Sequence, residues 1–288
     1  MDSPLATLSL GVGALAGTWA AALGTALALE HRLLFGRPRV LRPAPAGPHD
    51  AHFHRPVQVP VDAGCRLAGV VTQPVRDALG PLGSTARCLV LWFGGRNEDI
   101  RWTPALASWL GPEHAVAAFA YRGHGGSAGR PCERRVVADA LALVRWLRDE
   151  ERFPSQPLVL AGRSIGSAVA MQVAARLPTP PAALLLLSPM DGVQRLVRRH
   201  PVLAPGARWM RSPFDSIAAA ARFHCPVQVL MAAADDRVPH AHTQALVAAL
   251  RARGMAVQAQ VVPATTHRSL PRAAATLQAM AGYLCALP

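Results

Sequence analysis

The sequence predicts an α/β protein: a mostly parallel sheet with helices on both faces, a short cap segment and an N-terminal transmembrane helix. Three observations predict it. Short, continuous apolar runs such as Arg87–Phe93 and Ala183–Leu187 read as strands buried on both faces. Stretches of helical periodicity alternate with them, which implies parallel pairing through crossover helices. An uncharged run, Leu5–Leu29, precedes the whole pattern.

That run is 25 residues long. A helix rising ~1.5 Å per residue crosses a ~30 Å hydrocarbon core in fewer. A soluble core helix is seldom apolar on every face for so long. A cleaved signal peptide is one competing reading, since Ala26-Leu27-Ala28 resembles a cleavage site. No Lys or Arg precedes the run, however, and it exceeds a signal's apolar region. A buried helix is the other. Arg32, Arg37, Arg39 and Arg42 follow the run and only Asp2 precedes it, so charge bias puts the rest of the chain in the cytoplasm. A periplasmic or secreted domain is the alternative. Gly13 and Gly17 form a GxxxG pair, for which chance suffices in an Ala/Gly-rich span. Residues 1–35 are therefore expected as a membrane anchor, 36–54 as a Pro/Arg-rich linker and 55–288 as a catalytic domain.

Within 55–288, Val57–Val61 and Arg66–Thr72 read as an antiparallel pair, followed by a Gly/Pro turn at Gly80–Thr85. Strands are expected at Arg87–Phe93, Ala115–Tyr121, Leu158–Ala161, Ala183–Leu187, Val227–Ala232 and Val257–Val262. Helices are expected at Ile100–Leu110, Glu133–Asp149, from the elbow to Arg176, at Thr243–Ala252 and at Pro271–Leu284. Glu133–Asp149 carries Val136, Val137, Ala140, Leu141, Val144 and Leu147 at helical spacing. Residues 190–225 interrupt the repeat and are expected as the cap.

Gly162-Arg163-Ser164-Ile165-Gly166 matches G-x-S-x-G, with a strand before it and a helix after. A nucleophile on such a sharp turn needs small neighbours where the backbone packs closely, and it points the helix N-terminus at the site. A serine hydroxyl is a weak nucleophile and needs a base. His267 falls between the last strand and the last helix, after an acid, in the order Ser, acid, His. The acid follows Val227–Ala232, where Asp235 and Asp236 both stand. The D-x-x-V-P spacing selects Asp235 to fix the tautomer of His267. Asp236 is left to cap a turn or pair with Arg237. Two backbone N–H groups must meet the developing oxyanion. Ile165 supplies one, and Gly94-Gly95-Arg96-Asn97 the other, with Arg96 favoured and Gly95 next. Ser127 lies among four glycines with no helix directly after it, so a structural role is expected.

Composition narrows the field. All 30 basic residues are Arg and the net charge is +13, which suits an anionic membrane surface, an acidic partner or simply a solvated face. No nucleic-acid motif accompanies the charge, so nucleic acid is discounted. Cys65, Cys88, Cys132, Cys225 and Cys285 are scattered, without CxxC or Cys/His spacing. Neither a disulfide framework nor a metal site is expected.

Taken together, FGGRNEDI, YRGHGGSAGRP, GRSIG and DDRVP resemble the α/β-hydrolase superfamily. More narrowly, they resemble its membrane-anchored ABHD-type, depalmitoylase-like branch and bacterial relatives. The likeness runs from about Arg55 to the C-terminus. It departs from the pattern at Gly94, often His in the family, and at Ala232, usually Gly. The resemblance implies a serine esterase or thioesterase, acting on an acyl lipid or acylated molecule without metal or organic cofactor. Ser164 would attack the carbonyl as His267 takes its proton. A serine peptidase of the same fold and a catalytically silent membrane scaffold are the alternatives.

Overall fold

The computed structural model describes residues 17–37, 47–75, 86–149, 153–201 and 203–287. The turn expected at Gly80–Thr85 and residues 5–16 of the uncharged run lie outside them. Residues 17–28 form helix α1, largely exposed, and Glu30–Phe35 form α2. Among the described residues, no helix is long and apolar enough to cross a membrane.

Among the described residues, nine strands form one sheet: β1 (Gly47–His49), β2 (His52–Asp62), β3 (Cys65–Pro74), β4 (Cys88–Phe93), β5 (His114–Phe119), β6 (Leu158–Arg163), β7 (Ala183–Leu187), β8 (Val227–Ala234) and β9 (Val257–Thr266). Their spatial order is β1-β2-β3-β5-β4-β6-β7-β8-β9. The pairs β1–β2, β2–β3 and β3–β5 are antiparallel, and every later pair is parallel. The main helices are α3 (Thr103–Leu110), α4 (Glu133–Asp149), α5 (Ile165–Ala174), α8 (His240–Arg251) and α9 (Ala274–Cys285).

The two-sided burial inferred from the apolar runs is visible within β4. Leu89, Leu91 and Phe93 join a core with α4 and α5 residues, while Val90 and Trp92 join a second core with α3 and α9 residues. Residues 190–225 form only short pieces: α6 (Val193–Arg198), a 3-10 turn at Ala204–Trp209 and α7 (Ser216–Ala220).

Two stretches differ from the sequence reading. Residues 47–54, read as linker, pair as β1 and the start of β2, turning through Asp50 at φ 51°. Pro48 concealed the strand, yet β1 is an edge strand among the described residues, and an edge strand tolerates proline because the outer edge of its ladder need not donate to a neighbour. The second is α2, read as the end of an anchor. Phe35 is 1% exposed and meets Tyr121 and Phe214 edge-on, with ring centroids 5.2 and 6.2 Å away. Glu30 is also buried and accepts a hydrogen bond from the Arg211 backbone N–H at 2.9 Å. The boundary expected after residue 35 thus runs through a packed contact. Phe35→Ala is expected to cost about 3–5 kcal/mol. Urea unfolding of the variant would check this, and an unchanged midpoint would show that Phe35 is dispensable to the core.

Candidate active site

The strand ladders bring three separate loops to the C-terminal ends of the parallel strands. The β8–β9 register pairs Ala234 with Thr266. Asp235 and His267 follow these residues immediately, so the register alone sets them side by side. His267 Nδ1 lies 2.9 and 3.0 Å from the two carboxylate oxygens of Asp235. The backbone N–H groups of Arg237 and Val238 also donate to Asp235, at 2.9 and 2.8 Å. Burial pushes the Asp235 carboxyl up, but the His267 ring, the neighbouring Ser188 hydroxyl and these two N–H groups outweigh it and hold the pKa well below the usual carboxylate range. Asp235 therefore stays anionic beside the imidazole. Asp236 is exposed and pairs with Arg237 at 3.2 Å.

Ser164 caps the N-terminus of α5 at φ 53°, ψ −119°, directly after β6. A non-glycine residue is strained there, by on the order of 1–3 kcal/mol. The turn is tight because its glycines are needed. A Cβ on Gly166 would lie 2.0 Å from the Phe93 carbonyl oxygen, and one on Gly162 would lie 2.3 Å from that of Gly166. Ser164 N–H donates to the Leu187 carbonyl at 2.8 Å, which pins the elbow to β7. Among the described residues, the Ser164 hydroxyl and His267 Nε2 make no hydrogen bond to a protein group.

The loop after β4 departs from one expectation. Gly95 N–H donates to Glu98 Oε2 at 2.7 Å, so it is already committed and unavailable to an oxyanion. The Arg96 and Ile165 N–H groups find no acceptor among the described residues. The Gly94 departure from the family pattern is braced differently: the Tyr121 hydroxyl donates to the Gly94 carbonyl at 2.9 Å. Burial, with Glu98 nearby, pushes the Tyr121 phenol up, which keeps that donor protonated. Ser127 is structural here, donating to Ala120 O and accepting from Ala68 N, both at 2.9 Å.

Two side chains given no role in the sequence reading sit at the centre of this loop cluster. Glu98 stood in the quoted FGGRNEDI segment and Arg163 inside the elbow motif. They pair at 3.2 Å, with side chains 6% and 14% exposed. The spacing of Gly95 and Glu98 was the available local signal. Elsewhere, Glu113, His114 and Cys285 bring potential metal-donor atoms within 4.8 Å of one another. His114 begins β5, so this group lies at the opposite end of the sheet from Ser164.

A family model described as serine aminopeptidase, S33, matches residues 84–219. An uncharacterised protein of Mycobacterium tuberculosis is 33% identical over 208 residues, covering 72% of this chain and 71% of that one. Lysophosphatidylserine lipase of Danio rerio is 35% identical over 142 residues, 43% of this chain and 36% of that protein. Among solved structures, an acetyl xylan esterase from Paenibacillus sp. R4 aligns with a TM-score of 0.69 at 16% identity, covering 94% of each chain. An esterase of Pyrococcus furiosus aligns at 0.65 and 16% identity, covering 86% of this chain and 96% of that one.

Proposed function

The chain belongs to the α/β-hydrolase superfamily, and from that premise we propose that it is a serine hydrolase cleaving a carboxylic ester or thioester of an acyl lipid or acylated molecule. The observation that carries the proposal is the strained Ser164 on a strand-to-helix turn, at the same end of the sheet as the Asp235–His267 pair. Structural relatives that are esterases and a sequence relative that is a lysophosphatidylserine lipase support the ester class.

The residues divide the work as follows. His267 Nε2 takes the Ser164 proton as the hydroxyl attacks the acyl carbonyl. Asp235 holds the ring with Nδ1 protonated and stabilises the imidazolium that forms. The Ile165 N–H, at the positive end of α5, and the Arg96 N–H receive the oxyanion. His267 then protonates the leaving alcohol or thiol. Water, deprotonated by the same ring, releases the acid from Ser164.

A series of chromogenic acyl esters from acetate to palmitate tests the substrate class. Turnover is expected to rise toward long chains, and activity confined to acetate would remove the lipid reading. The family description favours one second reading, a serine aminopeptidase. Cleavage of aminoacyl amides with no ester turnover would select it. The uncharged run Leu5–Leu29 followed by four arginines supports a membrane anchor with a cytoplasmic catalytic domain. Recovery of the full chain in a carbonate-washed membrane pellet is the expected result.

A further inference from the structure

We infer that Glu98 and Arg163 form a buried positioning pair that sets the oxyanion loop and the base loop relative to the nucleophile. The inference rests on the serine-hydrolase reading above and assigns two further residues to it. Glu98 accepts four hydrogen bonds. Its Oε1 takes the indole N–H of Trp92 at 2.8 Å and of Trp102 at 3.0 Å. Its Oε2 takes Gly95 N–H at 2.7 Å and an Arg163 guanidinium N–H at 3.2 Å. A carboxylate offers about four lone-pair directions, so this one is fully engaged.

The consequence for the loop is directional. Anchoring Gly95 N–H inward onto Glu98 fixes the Gly94–Gly95 peptide plane. The Gly95 carbonyl in turn accepts the Glu98 backbone N–H at 3.1 Å, which fixes the Gly95–Arg96 plane and with it the direction of the Arg96 N–H. The Trp92 indole belongs to β4 and the Trp102 indole to the turn preceding α3, so the carboxylate is itself held from two elements. The two indole rings meet edge-on at 5.4 Å, which stiffens that support.

Arg163 carries the same constraint across the site. It precedes Ser164 and lies against the oxyanion loop, where a Cβ on Gly95 would come within 3.4 Å of its guanidinium. Its second terminal nitrogen donates to the His267 carbonyl at 3.0 Å. One planar guanidinium thus ties Glu98 on one side to the backbone of the base on the other. These partners are 65 and 104 residues away in sequence. A lysine offers a single compact cation and cannot hold both acceptors in a fixed fork. A structural ion pair would serve anywhere in the fold; among the described residues this one contacts the elbow, the oxyanion loop and the base loop, and besides them the Trp92 and Trp102 indoles that hold the carboxylate.

The transition state depends on these positions more than the ground state does, because the oxyanion forms only there. Removing the pair is therefore expected to lower kcat on the order of 10–100-fold with KM changed less than about threefold. The test compares Arg163→Met, Arg163→Lys, Glu98→Gln and the double variant Glu98→Gln/Arg163→Met, using a soluble chromogenic ester and a boronate transition-state analogue. Expected results are a parallel loss of kcat and analogue affinity, partial recovery in Arg163→Lys, and a double variant no worse than the poorer single one, as coupled residues give. Thermal midpoints identify any variant that fails to fold, and Glu98→Gln and Arg163→Lys, which preserve volume, keep the question open to measurement. Equal kcat in all folded variants, or losses that track KM alone, would overturn the pair's role while leaving wild-type hydrolysis intact. A wild-type chain that neither turns over esters nor reacts with a fluorophosphonate would instead overturn the hydrolase reading.

Discussion

Ser164→Ala is expected to lower ester turnover by roughly ten-thousand-fold or more, and to abolish labelling by a fluorophosphonate. The physical reason is that the acyl group has no other place to go. Ser164 stands on a tight turn directly after β6, with the N-terminus of α5 directly behind it. Alanine keeps the Cβ, and so keeps the strained backbone at φ 53°. The variant should therefore unfold at a midpoint close to wild type. Ser164→Gly separates strain from chemistry. It is equally inactive, yet gains on the order of 1 kcal/mol of stability because glycine occupies positive φ without a clash. Burst titration, probe labelling and urea unfolding on the three proteins give the answer. Labelling that persists in Ser164→Ala would place the nucleophile elsewhere.

The same elbow illustrates how much of the fold and site is legible in sequence. A strand that is apolar on both faces, such as β6 or β7, announces itself through composition alone, since both faces must be covered. The helix over Glu133–Asp149 is legible because its apolar stripe is regular throughout. The elbow is local, with its strand, turn and helix contiguous in the chain. Asp235 and His267 are not local, but each follows a strand directly, so strand placement carries their positions and the β8–β9 register brings them together.

Much of what was not legible depends on distant partners. Nothing near Glu98 in the chain says that an arginine 65 residues later will meet it, or that the same arginine reaches His267. Gly95 seemed available as an oxyanion donor because its neighbour's side chain could not be oriented from sequence. Phe35 lies in the short stretch after Glu30, His31 and Arg32 that reads as the end of the anchor, although it is a core residue packed against Tyr121 and Phe214. For Arg163 and Phe35 a long-range contact overrides a local pattern; for Gly95 the partner is three residues away, and only the direction of its side chain is hidden.

Asp235→Asn is expected to lower kcat by about a thousand- to ten-thousand-fold with little change in KM. The asparagine oxygen can keep the Arg237 and Val238 N–H groups, which now approach Asp235 Oδ1 at 2.9 and 2.8 Å. Its amide nitrogen then faces His267 Nδ1 as a donor. That nitrogen must become the acceptor, so the proton moves to Nε2, where the Ser164 hydroxyl would need a base. The ring remains in place in the wrong tautomer. The substitution also removes a pH-dependent stabilisation whose sign is determined. The folded Asp235 carboxyl titrates below its usual range, despite burial, because its hydrogen-bond donors favour the anion. Its contribution is therefore complete above the unfolded carboxylate pKa of about 4, and fades as pH falls toward the folded value. Wild type should exceed Asp235→Asn in stability at neutral pH, and the gap should narrow on acidification below about pH 4. Urea midpoints for both proteins across that range measure it. A gap that widened in acid would mean that Asp235 is protonated in the folded chain, and an uncharged group could not stabilise the imidazolium that the mechanism requires.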